Sequence, residues 1–354
     1  MRKRLMLLAA VALVATGALR AQDQNTETEV VRASTIKDNE DILYNEGVTL
    51  LEQQDYLNAI AKFTRAIAAK ADFSEAYYNR AVAKEKIKSY NDAIVDYSKA
   101  IELQPSAGSY FARGRLYHDQ NNLDLAEADY TQALALDPNM AKAYYYKGAI
   151  KFLSELYQAA IDEYTSCIAV DPGYYYAYND RGSAHRSLER YDEALADYTQ
   201  AIAINPSVDF LYSNRGATYR LLKKYDEAIL DYDEALKLAP QNAMIYNNRG
   251  LAKLGKEDYA GALEDFSTAK QHNASYYRAF NNAGNVYYKQ KKYAEALAEY
   301  DMAIKLNGKF GQAYLNRGIV KEMMRDEKGA CSDWQKAIDL NEPSAQAYVS
   351  AQCN

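Results

Sequence analysis

A period of 34 residues dominates this sequence and limits the folds open to it. Nine units in one register cover residues 40–344. They begin at Glu40, Ser74, Ala107, Ala141, Tyr175, Asp209, Ala243, Tyr277 and Gly311. Glycine occupies the eighth position of every unit except the second, which has Ala81 there and is one residue shorter. A fixed period of this length is typical of an array of stacked structural units, not of a single globular core.

Numbered from the first residue of each unit, several positions hold one kind of side chain throughout the array. Position 20 is always alanine, position 24 is always aromatic, and position 4 is always large and apolar. The spacing of positions 4, 8 and 11, and of positions 17, 20, 24 and 27, places each set on one face of a helix. All six prolines lie near the end of a unit, where they stop a helix. Each unit is therefore predicted to be two helices.

This order of large, glycine, aromatic, alanine, aromatic, alanine and proline positions resembles the pattern of the tetratricopeptide-repeat family. The resemblance covers residues 40–344 and implies an all-α fold, a right-handed superhelical solenoid of nine antiparallel helix pairs. A final repeat has no neighbour to cover it, so residues 345–354 are expected to form a C-terminal capping helix. The chain departs from the family at position 4, where tyrosine replaces tryptophan, and at position 7, where leucine is expected.

The departure at position 7 indicates a charge interaction inside each unit. Position 7 is basic and position 23 acidic in Arg80 and Asp96, Arg113 and Asp129, Lys147 and Glu163, Arg181 and Asp197, Arg215 and Asp231, Arg249 and Asp265, and Arg317 and Asp333. The signs are exchanged in the first unit, which has Glu46 and Lys62, and only the eighth, with Ala283 and Glu299, breaks the rule. We predict an ion pair that bridges the two helices, because independent surface charges, the alternative, have no reason to exchange together.

Residues 1–21 have the pattern of a secretory signal peptide. Three basic residues at positions 2–4 precede an apolar run that ends near residue 19, and cleavage is expected after Ala21. An uncleaved membrane anchor is the alternative, but the run is shorter than the roughly 20 residues that a spanning helix needs. Residues 22–39 follow as a polar, flexible leader. We therefore expect a protein secreted across the inner membrane that is periplasmic or associated with the cell surface.

Charge and composition argue against several classes of function. Removal of the signal takes away four basic and no acidic side chains, which lowers the formal net charge from −6 to −10 and disfavours nucleic acid as a partner. His118, His185 and His272 lie in different units, and none has a second ligand at metal spacing. We expect no metal, no cofactor and no catalysis; a hydrolase is the weakest alternative, since no nucleophile and base can be named.

The three cysteines have different predicted roles. Cys167 takes position 27, where every other unit has alanine, which indicates a small buried side chain. Cys331 lies in the last predicted helix pair and Cys353 in the predicted cap. In an oxidising compartment, a disulfide between Cys331 and Cys353 would attach the cap to the last repeat. Two free thiols are the alternative.

The resemblance also indicates where a partner would bind, because in the family the first helices of successive repeats line a concave groove. Position 6, which points into it, is asparagine in six units: Asn45, Asn79, Asn214, Asn248, Asn282 and Asn316. Asn247 and Asn281 precede two of them. An amide both donates and accepts, so a regular row could pair with the backbone of an extended peptide whatever its sequence. The row resembles the asparagine ladder in O-linked N-acetylglucosamine transferases; solvated polar residues on an empty face are the alternative.

Other groove positions add aromatic and basic side chains. Tyr145, Arg115, Arg186 and Arg220 suit an extended segment with aromatic and acidic residues. No three consecutive units supply the carboxylate clamp of chaperone-binding relatives. We predict a non-catalytic scaffold, adaptor or chaperone-like, that binds proteins or extended peptides; a glycan-binding module that uses the groove tyrosines is the alternative. Without the signal we expect no membrane insertion, and at most a peripheral place in an envelope complex.

Overall fold

The computed structural model describes residues 39–353, and this part of the chain consists of α-helices joined by short turns, without strands. The helices are α1 Asn39–Glu52, α2 Tyr56–Ala69, α3 Ser74–Lys86, α4 Tyr90–Leu103, α5 Ala107–Asp119, α6 Leu123–Leu136, α7 Ala141–Leu153, α8 Tyr157–Val170, α9 Tyr175–Ser187, α10 Tyr191–Ile204, α11 Asp209–Leu221, α12 Tyr225–Leu238, α13 Ala243–Gly255, α14 Tyr259–His272, α15 Tyr277–Lys289, α16 Tyr293–Leu306, α17 Gly311–Met323, α18 Glu327–Asp339 and α19 Ala345–Gln352. The predicted signal peptide, and all but the last residue of the predicted leader, lie outside the described residues.

The helix boundaries follow the 34-residue period. Eight of the nine predicted units begin at the first residue of a helix, and the remaining helix begins at Asn39, one residue before its predicted start. From α1 to α17 the odd-numbered helices are the first, or A, helices of the repeats, and from α2 to α18 the even-numbered helices are the second, or B, helices. Consecutive helices are antiparallel. The predicted nine helix pairs and the C-terminal helix are thus confirmed.

Between Ala177 and Tyr178, inside helix α9, the chain divides into two compact units, each of which comprises several of the 34-residue repeats. The first unit contains α1 to α8, and the second contains α10 to α19. No helix within residues 39–353 combines the length and the apolar character that crossing a membrane requires.

Small and large side chains face each other between the two helices of a repeat. The alanines of position 20 and the aromatic rings of position 24 are at most 1% exposed in all nine repeats. The glycine of position 8 lies directly against the ring of position 24. A Cβ atom on Gly284 would be 2.6 Å from the Tyr300 ring, which is closer than packed atoms approach. The glycine period therefore reflects the room that the buried aromatic rings need.

Each turn between an A helix and its B helix contains one residue in the left-handed region, with φ between 58° and 65°. These residues, all at position 15, are Gln54, Lys88, Asn121, Glu155, Glu189, Lys223, Glu257, Lys291 and Arg325. A left-handed conformation costs a residue with a Cβ roughly 1 kcal/mol. Because none of the nine is glycine, the sequence pattern held no signal for this turn.

The predicted ion pair joins the two helices of a repeat. Arg215 donates from Nε to Oδ2 of Asp231 at 2.9 Å and from Nη2 to Oδ1 at 2.7 Å. The aspartate is buried, whereas the guanidinium is partly exposed. The same two-point contact recurs in Arg80 with Asp96, Arg113 with Asp129, Arg181 with Asp197, Arg249 with Asp265 and Arg317 with Asp333. Lys147 with Glu163, and Lys62 with Glu46 in the exchanged repeat, also form ion pairs.

The exception in the eighth repeat is compensated by the repeat before it. Glu299, which faces Ala283 instead of an arginine, accepts two hydrogen bonds from Lys270 Nζ at 2.7 and 2.6 Å. Lys270 occupies position 28 of the seventh repeat, where all other repeats have isoleucine or leucine. The half-buried Glu299 therefore keeps a basic partner, supplied by helix α14.

Helix α19 covers the end of the last repeat. Its Tyr348 ring stacks on the buried Trp334 ring of α18, with 5.0 Å between the ring centroids. A disulfide joins Cys331 in α18 to Cys353, which directly follows α19, and their Cα atoms are 5.6 Å apart. The cap is thus attached both by packing and by a covalent bond. Cys167 is fully buried and is a free thiol.

Candidate functional site

The A helices of the second unit form a row in which α11 contacts α13, α13 contacts α15 and α15 contacts α17. The asparagines of positions 5 and 6 meet where these helices touch. Asn282 Nδ2 donates to Asn247 Oδ1 at 2.8 Å, and Asn316 Nδ2 donates to Asn281 Oδ1 at 3.0 Å. The position-6 amides of Asn282 and Asn316 thus each reach a position-5 amide of the preceding repeat, which brings these predicted asparagines together along one row.

Six amides of the seventh to ninth repeats form one hydrogen-bonded series, which we call the amide chain. In the order of donation it consists of Gln312, Asn316, Asn281, Asn282, Asn247 and Asn248. The bonds within a repeat from Asn281 to Asn282 and from Asn247 to Asn248 are long, at 3.4 and 3.5 Å. The series ends at Asn248, whose side-chain N–H groups donate to no other group in residues 39–353.

A shorter pair of amides lies towards the start of the second unit. Asn214 Nδ2 donates to Asn179 Oδ1 at 2.9 Å, and Asn179 Nδ2 donates to Asp180 Oδ1 at 2.8 Å. Ser213 occupies position 5 of the sixth repeat and separates this pair from the amide chain, because it offers Asn248 no amide. Ser213 and Gln312 are not asparagines, so the pattern of asparagines in the sequence does not predict their roles.

The exposed members of the row are the position-6 asparagines. Asn214, Asn248, Asn282 and Asn316 are each partly exposed, as a peptide contact requires. Asn247 and Asn281 are only 3% and 4% exposed. The prediction that these two contact a peptide is therefore corrected: each lies below the surface and accepts a hydrogen bond from the exposed amide of the next repeat.

Two predicted contacts in the first unit are corrected as well. Tyr145 is fully buried and packs against the rings of Tyr146, Tyr164 and Tyr174. Arg115 is also buried, with its guanidinium bound to Glu85. Neither side chain is available to a partner, because both are buried in the interior of the repeats. The burial of Tyr145 and Tyr146 also removes aromatic surface that a glycan would need.

Arg186 of α9 and Arg220 of α11 occupy position 12 and remain partly exposed. Arg186 Nη1 donates to the backbone oxygen of Asn214 at 3.4 Å, and its Cζ atom lies 5.9 Å from the centroid of the Tyr198 ring. Within residues 39–353, no carboxylate lies at ion-pair distance from either guanidinium. These two cations therefore flank the row of amides.

The groups that could carry out chemistry are widely separated or inert. Residues 39–353 hold no cluster of three His, Cys, Asp or Glu side chains suited to a metal ion. Burial raises the pKa of the Cys167 thiol to about 12, so the nucleophilic thiolate is not formed at neutral pH. Burial lowers the pKa of His185, whose neighbour Asp197 is already bound by Arg181.

Similar proteins match the repeats. The model described as "Tetratricopeptide repeat" matches residues 74–106, 107–140, 175–208 and 210–242, and the model described as "TPR repeat" matches residues 284–324. Human tetratricopeptide repeat protein 13 is 36% identical over 104 residues, which are 29% of this chain and 12% of the relative. The small glutamine-rich tetratricopeptide repeat-containing protein 2 of Mycosarcoma maydis is 38% identical over 95 residues, 27% of this chain and 26% of the relative. The matches thus span a minor part of these relatives' length.

A solved structure supports the same assignment of the fold. A tetratricopeptide repeat protein from Parabacteroides merdae superposes with a TM-score of 0.60 at 19% identity, over 70% of this chain and 99% of that one. Three observations indicate the same family: the register of the helices, the packing of the buried rings against the position-8 glycines, and the positions of the matched repeats. The chain belongs to the tetratricopeptide-repeat family.

Proposed function

We propose that this protein is a non-catalytic scaffold that holds extended segments of other proteins on the A-helix row of its second unit. The observation that carries the proposal is the amide chain with its exposed position-6 members. Proteins of this family act as protein-binding scaffolds or adaptors. For this protein, we place the binding surface on the A-helix row, and the mode of recognition is hydrogen bonding to a peptide backbone.

The amide chain is suited to a peptide backbone because some of its side-chain N–H groups make no hydrogen bond within the described residues. An asparagine side chain has two N–H groups and an oxygen with two lone pairs. Asn282 uses one N–H on Asn247, and Asn248 uses neither of its own within the described residues. Both side chains are partly exposed and are oriented by buried neighbours. Neighbouring packed helices lie about 8 to 10 Å apart, so oriented amides at this spacing can pair with backbone groups about three residues apart in an extended segment without reading its side chains.

We also propose that the protein acts in the periplasm or at the cell surface. The basic start and apolar run of residues 1–21 support export, and the bond between Cys331 and Cys353 suits an oxidising compartment. Mass spectrometry of the protein recovered from its cells is expected to find a chain that starts at Gln22. Recovery of the uncleaved chain from the cytosol would count against export.

The binding proposal is tested with an array of random 12-residue peptides and the double variant Asn248→Ala/Asn282→Ala. Each amide contributes about 1 kcal/mol, so loss of both is expected to weaken binding of the captured peptides roughly thirtyfold, whatever their sequence. The matched control is Gln200→Ala/Gln271→Ala, which removes two exposed amides from the B helices α10 and α14. Equal capture by the wild type and the asparagine variant, with both correctly folded by circular dichroism, would overturn the proposal.

A further inference from the structure

Arg186 and Arg220 of the second unit both occupy position 12 of an A helix and have no acidic partner within residues 39–353; Arg278, at position 2 of α15, has none either. Arg181, Arg215, Arg249 and Arg317 each hold a buried aspartate of the same repeat. Arg186 and Arg220 are partly buried as well, but no carboxylate of residues 39–353 lies at ion-pair distance from them. Partial burial of a cation is costly unless an anion or several hydrogen bonds offset it. Arg186 and Arg220 are thus partly buried charges that the described chain does not neutralise.

The two guanidiniums both influence one buried hydroxyl. Burial raises the pKa of Tyr232, whereas Arg220 and Arg186 both act on its hydroxyl to lower it. Arg186 is further fixed by its contacts with the Asn214 carbonyl and the Tyr198 ring. Arg186 thus reaches from α9 to the backbone of α11, the helix that carries Arg220.

Three buried polar atoms of the sixth repeat lack a protein partner of good geometry within the described residues: Arg220 Nε, Tyr232 OH and Ser213 Oγ. Arg220 nevertheless interacts with the Tyr232 hydroxyl closely enough to lower its pKa through a hydrogen bond. Native proteins rarely leave polar atoms unpaired, because each costs the free energy of removing it from water. The remaining N–H groups of the two guanidiniums suit an anionic group of a partner.

The first unit shows the alternative arrangement. Arg115 lies on the same face of an A helix, at position 9, and is neutralised by Glu85 of the preceding A helix. Where this fold uses an arginine for its own stability, it thus provides a carboxylate nearby. The positions around Arg186 and Arg220 provide none; Asp180, the acidic residue of α9, is buried and accepts from Asn179.

We propose that Arg186 and Arg220 bind the carboxylate of one aspartate or glutamate side chain of an extended partner segment. The inference rests on the proposed function and adds a specificity to it. The amides hold the backbone of the segment, and the arginine pair selects an acidic residue and thereby sets the register in which the segment lies. Arginine is suited to this because its planar fork of N–H groups matches a carboxylate.

The test uses 12-residue peptides of alanine, serine and threonine, acetylated and amidated at their ends, with a single Glu or Gln moved along the sequence. Fluorescence anisotropy is expected to show that Glu at one position binds the wild type about tenfold more tightly than Gln at that position. In Arg186→Gln/Arg220→Gln the preference is expected to disappear, while binding of the Gln peptide stays unchanged. Arg65→Gln/Lys86→Gln, which removes two exposed positive charges of the first unit, is expected to keep the preference.

The outcomes separate this inference from the function on which it rests. Equal binding of the Glu and Gln peptides at every position overturns the inference, and the scaffold function stands if both peptides still weaken with Asn248→Ala/Asn282→Ala. Binding of no peptide to the wild type overturns both. Loss of stability does not obscure the result, because removal of two unpaired charges is expected to leave the Tm of Arg186→Gln/Arg220→Gln unchanged or higher. A clear fall in that Tm, indicating a structural role, also overturns the inference.

Discussion

The two members of the ion pair differ in how deeply they are buried. Asp231 keeps 6% of its side-chain surface exposed, against 19% for Arg215. Burial raises the pKa of Asp231, and the hydrogen bond from Arg215 lowers it, so the guanidinium offsets only part of the cost of burial. A buried pair of this kind does little for net stability, yet either partner alone is harmful. The structure therefore predicts that the two single substitutions differ.

We expect Arg215→Leu to lower the free energy of unfolding by about 3 kcal/mol, because it leaves a buried carboxylate unpaired. Asp231→Ala is expected to cost less, since the arginine can turn towards water. The double variant is expected to be more stable than the sum of the two single effects, measured by urea denaturation followed by circular dichroism. Additive effects would show that the two side chains do not interact. The exposed pair of Lys237 and Glu234 is the control and is expected to show no measurable coupling.

The residues of the pair were predictable because both members recur in a fixed register and are once exchanged. The partners of the asparagines were not predictable in this way. Asn282 and Asn247 are 35 residues apart, and their hydrogen bond depends on how closely two A helices of successive repeats approach. Periodicity places both residues on one face of a helix, but it does not show which side chain lies above the other. Asn247 and Asn281 were for this reason predicted as exposed contacts.

At the scale of helices, the compensation of Glu299 by Lys270 links one repeat to the next. We expect Lys270→Ile, which restores the usual residue of position 28, to destabilise the protein by about 1 to 2 kcal/mol because it leaves Glu299 without a partner. Adding Ala283→Arg is expected to recover this loss, since arginine at position 7 pairs with position 23 in the neighbouring repeats. The measurement is the urea midpoint of the three proteins.

The rescue distinguishes a pairing effect from a packing effect. Ala283→Arg in the wild type adds a second cation beside a glutamate that is already paired, and is expected to bring no gain. If Lys270→Ile is as stable as the wild type, or if Ala283→Arg fails to rescue it, Glu299 does not need a basic partner.

The left-handed residue in the turns between A and B helices could not be predicted from the sequence, because glutamate, lysine, arginine, glutamine and asparagine all occupy that position.

At the scale of the whole array, the period is sufficient to predict nearly every helix start, because each repeat buries its aromatic rings against small residues at the same positions. Helices contact their partner in the repeat, the following helix and the next A helix. Stability in such an array is close to a sum of terms for repeats and for neighbouring pairs. A change at one end of a unit should therefore be felt locally and decline over one or two repeats.

The cap provides the test of this locality. Cys353→Ser removes the disulfide that closes 22 residues onto Cys331, a loop worth about 3 kcal/mol in the entropic account. Hydrogen exchange measured by mass spectrometry is expected to become faster in α19 and α18, where Tyr348 packs on Trp334, and to remain unchanged in α13 and α14. Cys167→Ala, which takes the alanine found at position 27 of the other repeats, is the control and is expected to leave α19 protected. Equal acceleration throughout the second unit would mean that it unfolds as one cooperative body, in which case the cap stabilises the far end of the amide chain, at Asn247 and Asn248, as directly as it does the last repeat.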